Sequence, residues 1–278
     1  MSRIEKAIEA AVRMRNATEA APAAPRTESG APPASGEDNA SGRDLLLQVE
    51  PVPITSPYLA IWQNEEDTVV REEYKKLRSL VEHLTRQETF RNTLMVTSSI
   101  GGEGKTITAL NLAIALAQQY DHTVLLVDAD LRKPSIHQYL GLKEDVGLAQ
   151  CLSGHATLEQ ALIKTGIGKL VVLPGGAGVN NQLELLSSNR MKTLIQELKT
   201  RYADRYIIFD TAPVLPFADA QVLSSLVDGV IFVVREGMAR LHSVKEALAS
   251  LKGAPFLGAV YNDATFAHGK NHYSSYYY

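Results

Sequence analysis

The stretch MVTSSIGGEGKTITALNLAIALA, residues 95–117, constrains this chain more than any other segment. An apolar run enters a glycine-rich turn, and Lys-Thr then opens a long helical pattern. Gly101, Gly102 and Gly104 let the backbone aim successive N–H groups at one point, and the helix N-terminus beyond them adds a favourable dipole. That combination suits a phosphate group. The run from Ile100 through Glu103 to Ile107 is the expected contact surface, with Lys105 reaching the β- and γ-phosphates of ATP and the Thr106 hydroxyl on Mg²⁺. In the pattern GxxxxGK[ST] the first glycine is replaced by Ser99, a small residue that such a turn tolerates.

Around this segment the pattern alternates between strand and helix. Apolar runs at 93–97, 123–127, 170–173, 206–209, 229–234 and 256–261 are separated by helical patterns. Little polar alternation within the runs predicts strands buried on both faces of a mostly parallel sheet. The expected fold class is therefore α/β: a doubly wound, three-layer sandwich with its ligand at the carboxyl ends of the strands. Two such ends carry acids. TVLLVDADLRKPS places Asp128 and Asp130 just past one strand, and YIIFDTAPVLP places Asp210 past another. Three carboxylates converging there suit a hard cation that prefers oxygen ligands and keeps waters.

Outside the core the sequence predicts a short amphipathic helix over 1–16, with Ile4, Ile8 and Val12 on one side. A fraying tail and a docking or membrane-surface helix are both open readings. Residues 17–57 begin as an Ala/Pro/Gly/Ser-rich linker, too poor in large apolar side chains to order itself, and continue as an extended Pro-containing segment. Residues 58–265 form the catalytic domain, whose first helix starts near Glu65, and residues 266–278 form a tail. A single cysteine, Cys151, excludes an internal disulfide, and no run of about 20 apolar residues spans a bilayer. A cytoplasmic protein is expected, and a net charge of -3 gives no pull toward nucleic acid.

Together, SSIGGEGKT, LLVDADLRKP and IIFDTAPV resemble the Walker A, A′ and B motifs of bacterial tyrosine kinases (BY-kinases), P-loop NTPases of the MinD/ParA-like superfamily. The resemblance covers roughly residues 65–278, and the N-terminal helix and linker are similar to the exosortase-associated branch. It implies ATP-dependent autophosphorylation on tyrosine, in regulation of exopolysaccharide or capsule synthesis and export. Lys105, Asp128, Asp130 and Asp210 are the implied catalytic set, Thr106, Asp128 and Asp210 the Mg²⁺ ligands, and Asp130 a candidate base. Arg132 either screens the transferring phosphoryl group or is a surface charge. Asn262 either contacts adenine or is a turn residue. The implied partners are a second copy of the chain in a ring, a Wzz-like membrane polysaccharide co-polymerase as activator, and a tyrosine phosphatase. The activator would recruit the kinase to the inner face of the plasma membrane.

Four of the eleven tyrosines, Tyr273, Tyr276, Tyr277 and Tyr278, lie in the last six residues. The resemblance makes them the autophosphorylation sites, modified between subunits. Glu72, Lys75 and Arg78 match the family's ExxRxxR oligomerisation motif, with lysine at the first arginine. A solvated charged face is the plainer reading of those residues. The main alternatives are a ParA/MinD-like ATPase switch, against which Ile100 stands where that group has a signature lysine, and a non-catalytic nucleotide-binding subunit. His268 and His272 lack companions that would make them metal ligands.

Overall fold

The structure, a computed structural model, describes residues 68–265 except 88, 120–121, 144–145 and 202–204. The 1–16 helix, the 17–57 segment, the first part of the expected 58–265 domain and the tyrosine tail lie outside these residues.

A seven-stranded sheet forms the centre: β1 (Thr93–Ser98), β2 (Thr123–Asp128), β3 (Ile163–Lys164), β4 (Leu170–Leu173), β5 (Arg205–Asp210), β6 (Gly229–Arg235) and β7 (Phe256–Asn262). Their order across the sheet is β3-β4-β2-β5-β1-β6-β7. All six expected strands are present, within a residue of their expected ends. The addition is β3, a two-residue strand antiparallel to β4 at the sheet edge. Two residues give no periodicity to read.

Successive side chains on a strand face opposite ways, and here both sides are core. On β5, Tyr206 and Ile208 enter one apolar cluster while Ile207 and Phe209 enter the other. β2 repeats this with Val124 and Leu126 against Leu125 and Val127. The helices supply the outer layers. On one face lie α1 (Thr68–Thr85), α2 (Lys105–Ala117) and α3 (Ile136–Leu140); α1 rests on α2. Every residue of α2 except Ile107 is buried, which explains why it is apolar on all sides. On the other face lie α4 (Leu148–Ser153), α5 (Leu158–Ala161), α6 (Gln182–Ser187), α7 (Asn189–Arg201), α8 (Asp219–Ser224) and α9 (Leu241–Ser250). No helix among the described residues is long and apolar enough to cross a membrane.

Candidate functional site

The turn between β1 and α2 is held from inside. Gly102 and Gly104 adopt φ of 87° and 90°, a left-handed backbone that only glycine takes without strain. Glu103 points inward and is fully buried. Its Oε2 accepts hydrogen bonds from Ser99 Oγ at 2.6 Å and from the Ile100 amide at 2.9 Å. Ser99 is thus a working part of the loop, bracing it through Glu103 where the usual pattern has glycine. Asn262, at the end of β7, donates from Nδ2 to the Glu103 carbonyl at 2.9 Å. A Cβ on Gly104 would lie 2.1 Å from that same nitrogen, so the close approach demands glycine. Asn262 therefore ties the sheet edge to the loop, a role neither sequence reading anticipated.

Beyond the loop, Lys105 Nζ lies 2.7 Å from Asp130 Oδ2 and 3.7 Å from Asp210 Oδ1. Asp128 and Asp210 are side by side, paired in register on β2 and β5, and both are fully buried. Asp128 Oδ2 accepts from the Ser135 and Ile136 amides at 2.8 and 3.0 Å. Its Oδ1 and both oxygens of Asp210 have no hydrogen-bond partner among the described residues. Burial, helped by the neighbouring Asp210 charge, pushes Asp128 up to about 8 against the pull of those amides. Burial likewise pushes Asp210 up to about 6, with the Lys105 charge opposing it. Desolvation works against the Lys105 ammonium, but the surrounding carboxylates outweigh it and hold its pKa above the usual lysine value.

The three carboxylates converge on Lys105 without forming a three-acid metal cluster. No group of three His, Cys, Asp or Glu side chains placed to hold a metal occurs among the described residues. Asp130 is engaged by Lys105, which leaves Asp128 and Asp210 as the adjacent pair with bare oxygens. Two carboxylates, with water and phosphate completing the shell, are what Mg²⁺ asks of a protein, so the donor set fits that ion.

Arg132 is no loose surface charge. Its Nε and Nη2 donate to the two oxygens of Asp219 at 2.6 and 3.1 Å, and its guanidinium lies 4.3 Å from the centre of the Phe217 ring. Asp219 is fully buried, in the first turn of α8. A cavity of about 840 Å³ opens over the loop, with Lys105, Thr106, Asp130 and Arg132 on its wall together with Phe217 and Asn262. Sequence reasoning missed Asp219, Phe217, Arg235 and Tyr139.

Of the proposed oligomerisation residues, Glu72 and Lys75 form an ion pair at 2.6 Å on a half-exposed face of α1. Arg78 instead reaches the Ala115 carbonyl of α2 at 3.4 Å. The tail tyrosines, His268 and His272 lie outside the described residues.

Comparison with known proteins agrees with this geometry. The family model described as "AAA domain" matches residues 91–253, more than half of the chain. Tyrosine-protein kinase YwqD of Bacillus subtilis is 39% identical over 205 residues, 73% of this chain and 84% of that protein. The chain belongs to the bacterial tyrosine-kinase family. Tyrosine-protein kinase etk of Escherichia coli is 32% identical over 208 residues, 74% of this chain but 28% of that longer protein. The solved kinase domain of ETK superposes with a TM-score of 0.70 at 29% identity, covering 82% of this chain and 87% of that one. MinD of Pyrococcus horikoshii, solved with Mg-ADP, gives 0.52 at 27% identity over 60% and 68%. These likenesses place the fold among P-loop α/β ATPases and the family among protein-tyrosine kinases.

Proposed function

We propose that the chain is an ATP-dependent tyrosine autokinase whose acceptors are Tyr273, Tyr276, Tyr277 and Tyr278. The observation that carries this reading is the buried Lys105, held between Asp130 and Asp210 beside two carboxylates with bare oxygens, at the mouth of a phosphate-shaped loop. In the reaction the phenolic oxygen bonds to the γ-phosphorus, the bond from that phosphorus to the β–γ bridging oxygen breaks, and ADP and a proton leave. The loop amides and Lys105 bind and orient the phosphates, and Arg132 adds positive charge where phosphoryl charge is transferred. Thr106, Asp128 and Asp210 would hold Mg²⁺, which neutralises phosphate charge when bound. Asp130 is the candidate acceptor of the phenol proton once nucleotide draws Lys105 away from it.

Around residues 58–265 as the kinase domain, 1–16 is the amphipathic helix, 17–57 the linker and extended segment, and 266–278 the substrate tail. Phosphorylation between subunits of a ring would use the half-exposed face of α1 that carries Glu72 and Lys75. Each added phosphate brings about -1.5 to -2 charges, so a modified tail repels itself and loosens the ring. The setting is exopolysaccharide or capsule export, with a membrane co-polymerase as activator and recruiter and a tyrosine phosphatase resetting the tail.

The test is incubation with Mg-ATP and mass spectrometry of the C-terminal peptide, wild type against Lys105→Met and against the four tail tyrosines changed to Phe. Phosphate on the wild-type tail alone is the expected result. The second reading, a MinD-like switch, is favoured by the similarity to MinD. ATP hydrolysis with an unmodified tail, an activator being present, would establish that switch; nucleotide binding without turnover would indicate a regulatory subunit.

A further inference from the structure

The sheet order divides the cavity into two flanks. The phosphate loop follows β1, in the middle. On one side β6 and β7 bring Arg235, Asn262 and Asp263 to the cavity wall; on the other β2 and β5 are followed by Asp130, Arg132 and Phe217. The charged centre belongs to the second flank, because Asp128 and Asp210 pair there in register and Lys105 reaches toward it. A nucleotide whose phosphates end near Lys105 therefore leaves the β2–β5 flank for whatever receives the γ-phosphate.

That flank is built in advance. Asp219, fully buried, is a costly group unless paired, and its two oxygens fix Arg132 by Nε and Nη2. The guanidinium plane is stacked on Phe217 at 4.3 Å, with Nε and Nη2 both committed to Asp219. Asp130 lies close enough for its charge to act on Arg132. A rigid aromatic ring beside a fixed guanidinium is a surface on which another aromatic ring can stack at little ordering cost.

We propose that Phe217 and Arg132, locked by Asp219, form the acceptor subsite, which takes the phenol ring of the incoming tyrosine and brings its hydroxyl to Asp130. Phe217 touches the acceptor, and Asp219 is a positioning residue acting through Arg132. The proposal rests on the kinase reading above.

The experiment uses the full chain with its four tail tyrosines changed to Phe, Mg-ATP, and a synthetic peptide of residues 266–278 as acceptor. Phe217→Ala is expected to raise the KM for peptide roughly three- to tenfold, the worth of one aromatic pair, with the KM for ATP unmoved. Phe217→Tyr keeps the ring and should restore peptide KM, with the KM for ATP again unmoved. Asp219→Asn should raise peptide KM and lower kcat together. A rise in ATP KM with peptide KM unchanged would reassign this wall to the nucleotide, and an unchanged peptide KM in a folded Phe217→Ala protein would remove the subsite. Absence of peptide phosphorylation by the parent protein with the membrane activator present would instead sink the kinase reading, and the subsite with it.

Discussion

The two ends of the central sheet treat buried polar groups in opposite ways. At the amino ends Tyr206 and Asp228 both find protein partners. Thr85 and Tyr206 share a hydroxyl hydrogen bond at 2.8 Å, with the Tyr206 ring edge-on to Phe90 and His122. Asp228 accepts from the Thr93 amide and hydroxyl at 3.1 and 2.7 Å and pairs with Lys199 at 2.5 Å. At the carboxyl ends of β2 and β5, Asp128 and Asp210 are more deeply buried than Asp228, yet three of their oxygens lack a hydrogen bond and only Asp210 faces a cation, Lys105 at 3.7 Å. An unpaired buried carboxylate costs stability, whereas a satisfied one contributes modestly. The amino ends therefore hold the fold, and the carboxyl ends carry an electrostatic debt that a cation and a phosphate can relieve.

Lys105→Met breaks the contrast most sharply. It removes the ammonium that Asp130 and Asp210 share, so tail phosphorylation by the proposed kinase should fall by about 10²–10³ or more. Mass spectrometry of the C-terminal peptide gives the rate, and a rate within tenfold of wild type would show that this end is not where phosphoryl transfer is stabilised.

Next comes pH. Asp128 and Asp210 are raised in the folded protein from 3.8 to about 8 and about 6. Between those limits the native state holds more protons than the unfolded state, so stability without Mg²⁺ should decline as pH rises from about 4 to about 8. Asp128→Asn should flatten this decline, making the variant more stable than wild type at pH 8, on the order of a few kcal/mol, although inactive. Added Mg²⁺ should narrow the gap by stabilising wild type alone. Denaturant midpoints at pH 5 and 8, with and without Mg²⁺, decide it; a wild type that gains stability toward pH 8 would contradict the stated burial.

Tyr206→Phe tests the other end and should do the reverse. Losing the bond to Thr85 should cost about 1 kcal/mol of stability and leave kinase activity within twofold. A large activity loss would mean the two ends are coupled through β5, which carries both Tyr206 and Asp210.

How much of this could be read from the chain follows the same division. Buried strands announce themselves as apolar runs, and the alternation that feeds two clusters requires both faces to be apolar, so β1, β2 and β4–β7 were legible. So was the loop, because its glycines, Lys105 and Thr106 are contiguous. What was not legible is contact at a distance. Arg132 meets Asp219 across 87 positions, and nothing local to either residue announces the other. Asn262 lies 159 positions from Glu103, with the same result. Ser99 reads as a tolerated replacement until the fold turns Glu103 inward and gives it a partner. The three acids do converge around Lys105, but strand ends only bring carboxylates near one another, and packing decides which of them Lys105 engages.

The smallest expected effect lies on α1, away from both sheet ends. Glu72 and Lys75 pair in an exposed i,i+3 geometry, and such a pair contributes little to a folded monomer because water and salt screen it. Val69 and Leu80 are 60% and 55% exposed on the same helix. If this surface joins neighbouring subunits, Glu72→Ala should leave the thermal midpoint of the protein unmoved while sedimentation shifts toward smaller species. Phosphorylation between molecules should then slow and become steeply dependent on protein concentration, because assembly no longer brings tail and site together. Lys75→Arg should act in the opposite direction, since a guanidinium can engage a carboxylate with two parallel bonds where an ammonium makes one. A change in thermal midpoint with unchanged sedimentation in both variants would assign the pair to the monomer, and α1 would then support α2 and the loop it carries without building a ring.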